Sequence, residues 1–153
     1  MKKACLTIIA VCLAAGAATA SDWAWGPRLG YTHDTGLDQF HLGAHAVRPN
    51  LTTNLHLVPS VELGFGDGTL LAVNGDVVWE FTEMATGRWS FYAGGGPVFS
   101  HYSNDGFDST DFALGLVAGA TAESGPDRKF FGEVRLGLED APGLKITAGL
   151  TFF

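Results

Sequence analysis

The chain has 153 residues, 46% of them hydrophobic and 16% charged, with 16 acids against 9 bases and a formal charge of −7. Phosphate binding needs clustered Lys and Arg, so this balance argues against a nucleic-acid partner. No apolar segment after residue 20 reaches the roughly 20 residues of a spanning helix, which excludes a helical membrane protein.

Lys2 and Lys3 open the chain, an uncharged run of small and apolar residues follows from Ala4 to Ala18, and Ala18-Thr19-Ala20 precedes Ser21-Asp22. A basic start, a short apolar stretch and a small-x-small site form a secretory signal peptide. Residues 1–20 are expected to be removed, leaving 21–153 as the mature domain. Cys12 lies inside the apolar run without a lipobox. Both cysteines, Cys5 and Cys12, leave with the signal, so no disulfide framework is expected. Lys2 and Lys3 leave too, so 7 bases remain against 16 acids, a formal −9.

Alternation of period two then recurs in eight segments, 23–33, 38–47, 54–65, 69–81, 89–101, 111–122, 129–139 and 144–153. Turn signals separate them: 33–36, Arg48-Pro49-Asn50, 66–68, Ala85-Thr86-Gly87, 103–106, 124–127 and 140–143. One parity carries no charge; it includes Trp25, Leu29, Leu42, Leu63, Val77, Phe99, Leu116, Val134 and Ile146. The other parity takes every ionisable strand residue: Arg28, His41, His45, His56, Glu62, Asp76, Glu80, Glu133, Arg135 and Lys145.

Two barrels share this split, a soluble one with its apolar face inside and a membrane one with its apolar face outside. The charged parity also carries Gly30, Gly43, Gly64, Gly94, Gly96, Gly115, Gly119, Gly137 and Gly149. Glycine suits the crowded lumen of an eight-stranded barrel, whereas a solvated exterior favours long polar side chains. Aromatics on the apolar parity gather at the strand ends. Trp23, Trp25, Trp79, Phe81, Trp89, Phe91, Phe130 and Phe152 fall at one rim, and Tyr31, Phe40, Phe65, Phe99 and Phe112 at the other. Two aromatic girdles around an aliphatic middle are the mark of a membrane barrel. The expected fold is all-β, an eight-stranded antiparallel up-and-down transmembrane β-barrel over 21–153.

With that pattern, residues 23–153 resemble the superfamily of small OmpA-like and opacity-like outer-membrane barrels. Phe91-Tyr92-Ala93-Gly94-Gly95-Gly96 and the closing Ala148-Gly149-Leu150-Thr151-Phe152 carry the likeness, and the last strand resembles the family's assembly signal. The lipid-facing parity ends here at Phe152, with Phe153 one place beyond. The resemblance implies a Gram-negative outer membrane, a monomer, lipid and lipopolysaccharide as surroundings, and the barrel-assembly machinery as a partner in biogenesis. It implies no cofactor and no metal.

For chemistry, the inward Arg28, Glu62, Asp76, Glu80, Glu133, Arg135 and Lys145 are expected to pair as a polar plug, because charges in a narrow lumen must be matched or hydrated. His41 and His45 stand about 13 Å apart at the strand rise, too far for one metal ion. His101-Tyr102-Ser103-Asn104 resembles the His-x-Ser-Asn motif of outer-membrane lipid A deacylases, with His101 and Ser103 on the lipid-facing parity. It is read here as the entrance to a loop, with Asp105, Asp108 and Asp111 as loop acids and no fixed orienting carboxylate. Asp34, Asp38, Asp67, Asp105, Asp108, Asp111, Glu139 and Asp140 are expected at one rim, and Arg48, Arg88, Arg128 and Lys129 at the other. The expected role is non-enzymatic, structural or surface-interacting, in the cell envelope. The alternatives are a narrow, porin-like transport pore, a lipid A-modifying enzyme and a soluble periplasmic ligand-binding barrel.

Overall fold

A computed structural model describes residues 23–34, 37–66, 68–104, 106–138 and 143–153. The proposed signal segment 1–20 lies outside the described residues, as do Asp67, Asp105, Glu139, Asp140 and the turn at 140–142. Eight strands follow in order: β1 (Ala24–Asp34), β2 (Leu37–Thr52), β3 (Leu55–Gly66), β4 (Thr69–Thr86), β5 (Trp89–Asn104), β6 (Phe107–Gly125), β7 (Arg128–Leu138) and β8 (Leu144–Phe152). Each pairs antiparallel with the next, and β8 returns to β1 to close the barrel. Closure leaves no unpaired edge, which is what lets a sheet stand in hydrocarbon.

The start of β1, the end of β8 and the hairpins β2–β3, β4–β5 and β6–β7 share one end, the turn side; the other end is the loop side. Several strands run further than alternation alone suggests. The Arg48-Pro49-Asn50 turn is instead strand: β2 continues through it to Thr52, with a register shift between Arg48 and Thr52. A bulge accommodates Pro49, which has no N–H for the ladder; Asn50 in the bulge and Asn54 in the turn after it adopt φ of 57° and 64°. Likewise β4 reaches Thr86, where Gly87 turns the chain at φ 61°, and the shift between Phe81 and Thr86 absorbs the surplus residues.

Facing follows parity. The apolar set points outward, with Trp25 63%, Phe40 71%, Phe112 72% and Leu116 52% exposed, while Arg28, Glu62, Asp76, Arg135 and Lys145 are each at most 3% exposed. This is the inverse of a water-soluble barrel. Outward aromatics meet in pairs: Tyr31 and Phe40 have ring centroids 5.1 Å apart on the loop side, and Trp25 and Phe152 5.8 Å on the turn side.

The lumen is less uniformly polar than its charges suggest. Val78, Val98, Val117, Leu70 and Phe131 also face inward and are buried. Glycine makes room for the largest of these side chains. A Cβ on Gly149 would stand 2.5 Å from the Phe131 ring, and one on Gly119 2.6 Å from the Tyr92 ring. Both rings therefore lie against bare backbone.

An outward leucine gives a direct test of the surroundings. Leu116→Arg should lower folding stability in lipid vesicles by about 2–4 kcal/mol in a urea titration, the cost of arginine on a lipid face near mid-membrane. On a solvated face the same exposed position would change stability by less than about 0.5 kcal/mol.

Candidate functional site

Six charges meet in the lumen. Arg28 Nε lies 2.8 Å from Glu62 Oε1, an ion-pair contact off the line of the N–H, and its Nη2 donates to Glu133. Lys145 donates to the other oxygen of Glu62. Arg135 reaches Asp76 through both terminal nitrogens, Nη1 at 3.0 Å. Tyr92 donates to Glu133 at 2.9 Å. Three cations thus face three carboxylates, a neutral set. None of these contacts joins hydrogen-bonded neighbours: they run β1 to β3, β1 to β7, β3 to β8, β4 to β7 and β5 to β7, always across the lumen.

Glu80 stands apart from this set. The Asn50 backbone N–H donates to His56 Nδ1 at 3.2 Å, so His56 carries its proton on Nε2 and offers it to Glu80 Oε2, 3.2 Å away. That pair is only part-buried, near the turn-side rim. His41 and His45 lean on β8 instead. His41 Nε2 meets Thr147 Oγ1 at 3.1 Å, and His45 Nε2 meets Thr151 Oγ1 at 2.9 Å. Among the described residues no three His, Cys, Asp or Glu side chains group closely enough to hold a metal ion.

Tyr92 and Phe131 belong to this site although neither was expected in it. Their signal as inward residues is parity: both fall on the charged face. Phe131 takes the edge of His45 at 4.8 Å and has the Arg28 guanidinium 5.7 Å from its ring centre.

On the outer face, His101 and Ser103 do not enter a loop; β5 continues to Asn104 and pairs with β6 throughout. Asp108 and Asp111 are strand residues as well, with Asp108 opposite Ser103 and Asp111 accepting from Ser109 at 2.9 Å. His101 Nδ1 meets Thr110 Oγ1 at 2.8 Å, so a hydroxyl holds the position that an orienting carboxylate takes in a nucleophile–base set. The rims differ in charge less than expected, because Glu83, Glu123 and Asp127 share the turn side with Arg48, Arg88, Arg128 and Lys129. On the loop side, the His33 ring 2.6 Å away, together with Tyr31, holds the exposed Asp38 carboxyl below its ordinary value.

A closed ring of eight strands, charged within and apolar without, is an arrangement seen in solved barrels. The N-terminal β-barrel domain of Pseudomonas aeruginosa OprF superposes with a TM-score of 0.64 at 13% identity, covering 86% of this chain and 96% of that one. Neisserial surface protein A gives 0.62 at 13% identity over 85% and 94%. The chain has the fold of a small outer-membrane β-barrel. A designed transmembrane β-barrel matches too, with a TM-score of 0.58 at 16% identity over 86% and 94%. No family model and no curated protein matches the sequence.

Two measurements probe the site. Glu62→Ala strands Lys145 in the lumen and leaves Arg28 with Glu133 alone, and should cost about 3–5 kcal/mol of folding stability in vesicles; Asp76→Leu combined with Arg135→Met removes both partners and should cost far less. A carboxyl with a lowered pKa stabilises the fold above its unfolded pKa and loses that contribution as pH falls through the folded value. The Asp38 carboxyl carbon should accordingly titrate in NMR below 3.8, and His33→Ala should move its midpoint upward.

Proposed function

We propose that the chain is an exported, monomeric outer-membrane protein with a non-enzymatic structural or surface-interaction role in the cell envelope. One observation carries this reading: a neutral set of ion pairs spans the lumen inside an apolar outer surface. Charges matched across a lumen this narrow tie non-adjacent strands together and leave no free charge to draw ions through. The barrel is a rigid, closed body that displays short loops on one side. Residues 1–20 serve export and are absent from the mature protein. Lipid and lipopolysaccharide surround the aromatic girdles, and the barrel-assembly machinery inserts the chain by its last strand. The designed neighbour shares this architecture, so the likeness speaks for the membrane body and leaves its task to the loops and lumen.

Fractionation and conductance test the reading together. The mature protein should begin at Ser21, require detergent for extraction and migrate heat-modifiably on gels. In planar bilayers it should show no discrete current steps, whereas replacing Arg28, Glu62 and Glu133 together with Ser should produce them. Steps from the native protein would support a narrow transport pore instead, and loss of a lipid A modification in His101→Ala or Ser103→Ala would support an enzyme.

A further inference from the structure

Between the ion pairs and the turn-side rim the lumen holds a cavity of about 120 Å³. Its walls are apolar at Val47, Val58, Val78, Val117 and Phe131 and polar at His45, His56, Glu80, Thr121 and Thr151, with Phe153 at the mouth. Two rings that line it, Tyr92 and Phe131, reach over Gly119 and Gly149, where a Cβ would meet them at 2.6 and 2.5 Å.

Polar groups at the closed end are already engaged with one another. Arg28 is held by Glu62 and Glu133, Glu133 also takes the Tyr92 hydroxyl, and Asp76 is held by Arg135. Of the other polar groups on the lining, His45 Nδ1 has no hydrogen-bond partner.

At the mouth the charges are unequal in availability. Glu80 is bound by His56. Lys129 is not: its ammonium lies 5.4 Å from the Phe153 ring centre, and among the described residues no carboxylate stands within ion-pair distance of it, not even Glu123, its partner in the β6–β7 ladder. Half-buried, it faces an apolar space from the rim.

The geometry points to a binding site for a small amphipathic anion, an aromatic or short-chain carboxylate, with its apolar body among the valines and its carboxylate on Lys129. Entry is from the turn side, since the ion pairs close the other end. The site stands whether or not the barrel conducts.

The test uses the mature barrel in lipid nanodiscs with valine methyls labelled, titrated with benzoate and with toluene, two probes of similar shape that differ in charge. Both should shift the methyls of Val58, Val78 and Val117 saturably. Lys129→Gln should weaken benzoate about fivefold or more and leave toluene within about twofold. Val117→Phe should abolish binding of both, and Val78→Phe provides the same test should that variant not fold, with heat-modifiable migration reporting folding. The proposal is overturned by shifts confined to the lipid-facing Val61, Val73 and Val134, by undiminished affinity in a folded cavity-filling variant, or by equal effects of Lys129→Gln on the two probes.

Discussion

An eight-stranded barrel has a lumen about one side chain wide, and that width sets every inward choice in this chain. An inward residue is judged less by its neighbours in the ladder than by what stands across from it. Arg28 lies in β1, yet its partners come from β3 and β7. Glu62 in β3 answers to β1 and β8. The largest rings are the exception, since each has glycine as its ladder partner, Gly119 beside Tyr92 and Gly149 beside Phe131. The outer surface has no such constraint. Leu, Val, Ile and the aromatics there meet only lipid, so volume is free to vary and only polarity is fixed.

The same asymmetry explains what can be read from the sequence. Strand number, facing and closure all follow from a period-two pattern in which charge never changes sides, because one misplaced charge on the lipid face costs several kcal/mol. The charged parity holds every member of the ion-pair set, but it also holds Glu80, expected in the set and found outside it. Partners do not follow: nothing local says that Arg135 meets Asp76 across the lumen while Glu80 turns to His56. Those choices depend on the axial stagger between strands, which is a property of the closed ring. Strand ends were the other blind spot. Pro49 reads as a terminator, but a bulge with Asn50 at positive φ carries β2 past it. The string His101 to Asn104 is rich in loop-forming residue types, and its long ladder with β6 overrides that preference.

Pairing across the lumen also divides it. Towards the loop side Gln39, Leu70 and Ser100 are all buried. Towards the turn side four inward valines, Val47, Val58, Val78 and Val117, stand on a cavity. A barrel needing only to be rigid would gain from closing that cavity, since each missing methyl-sized volume costs on the order of 1 kcal/mol of packing. The unfilled half is the half where a lysine stands without an acid.

Valine is a poor filler for a lumen of this bore. One ring from Val78 or Val117 would occupy much of the space, and the chain already uses rings at Tyr92 and Phe131, each laid against glycine and out of the way. The sequence therefore places its bulk at the wall rather than the centre. Rigidity and vacancy are obtained from the same devices: ion pairs fix the ring towards the closed end, and glycines give the largest rings room at the wall. What remains is a preformed space with valines on its walls and Lys129 at its edge.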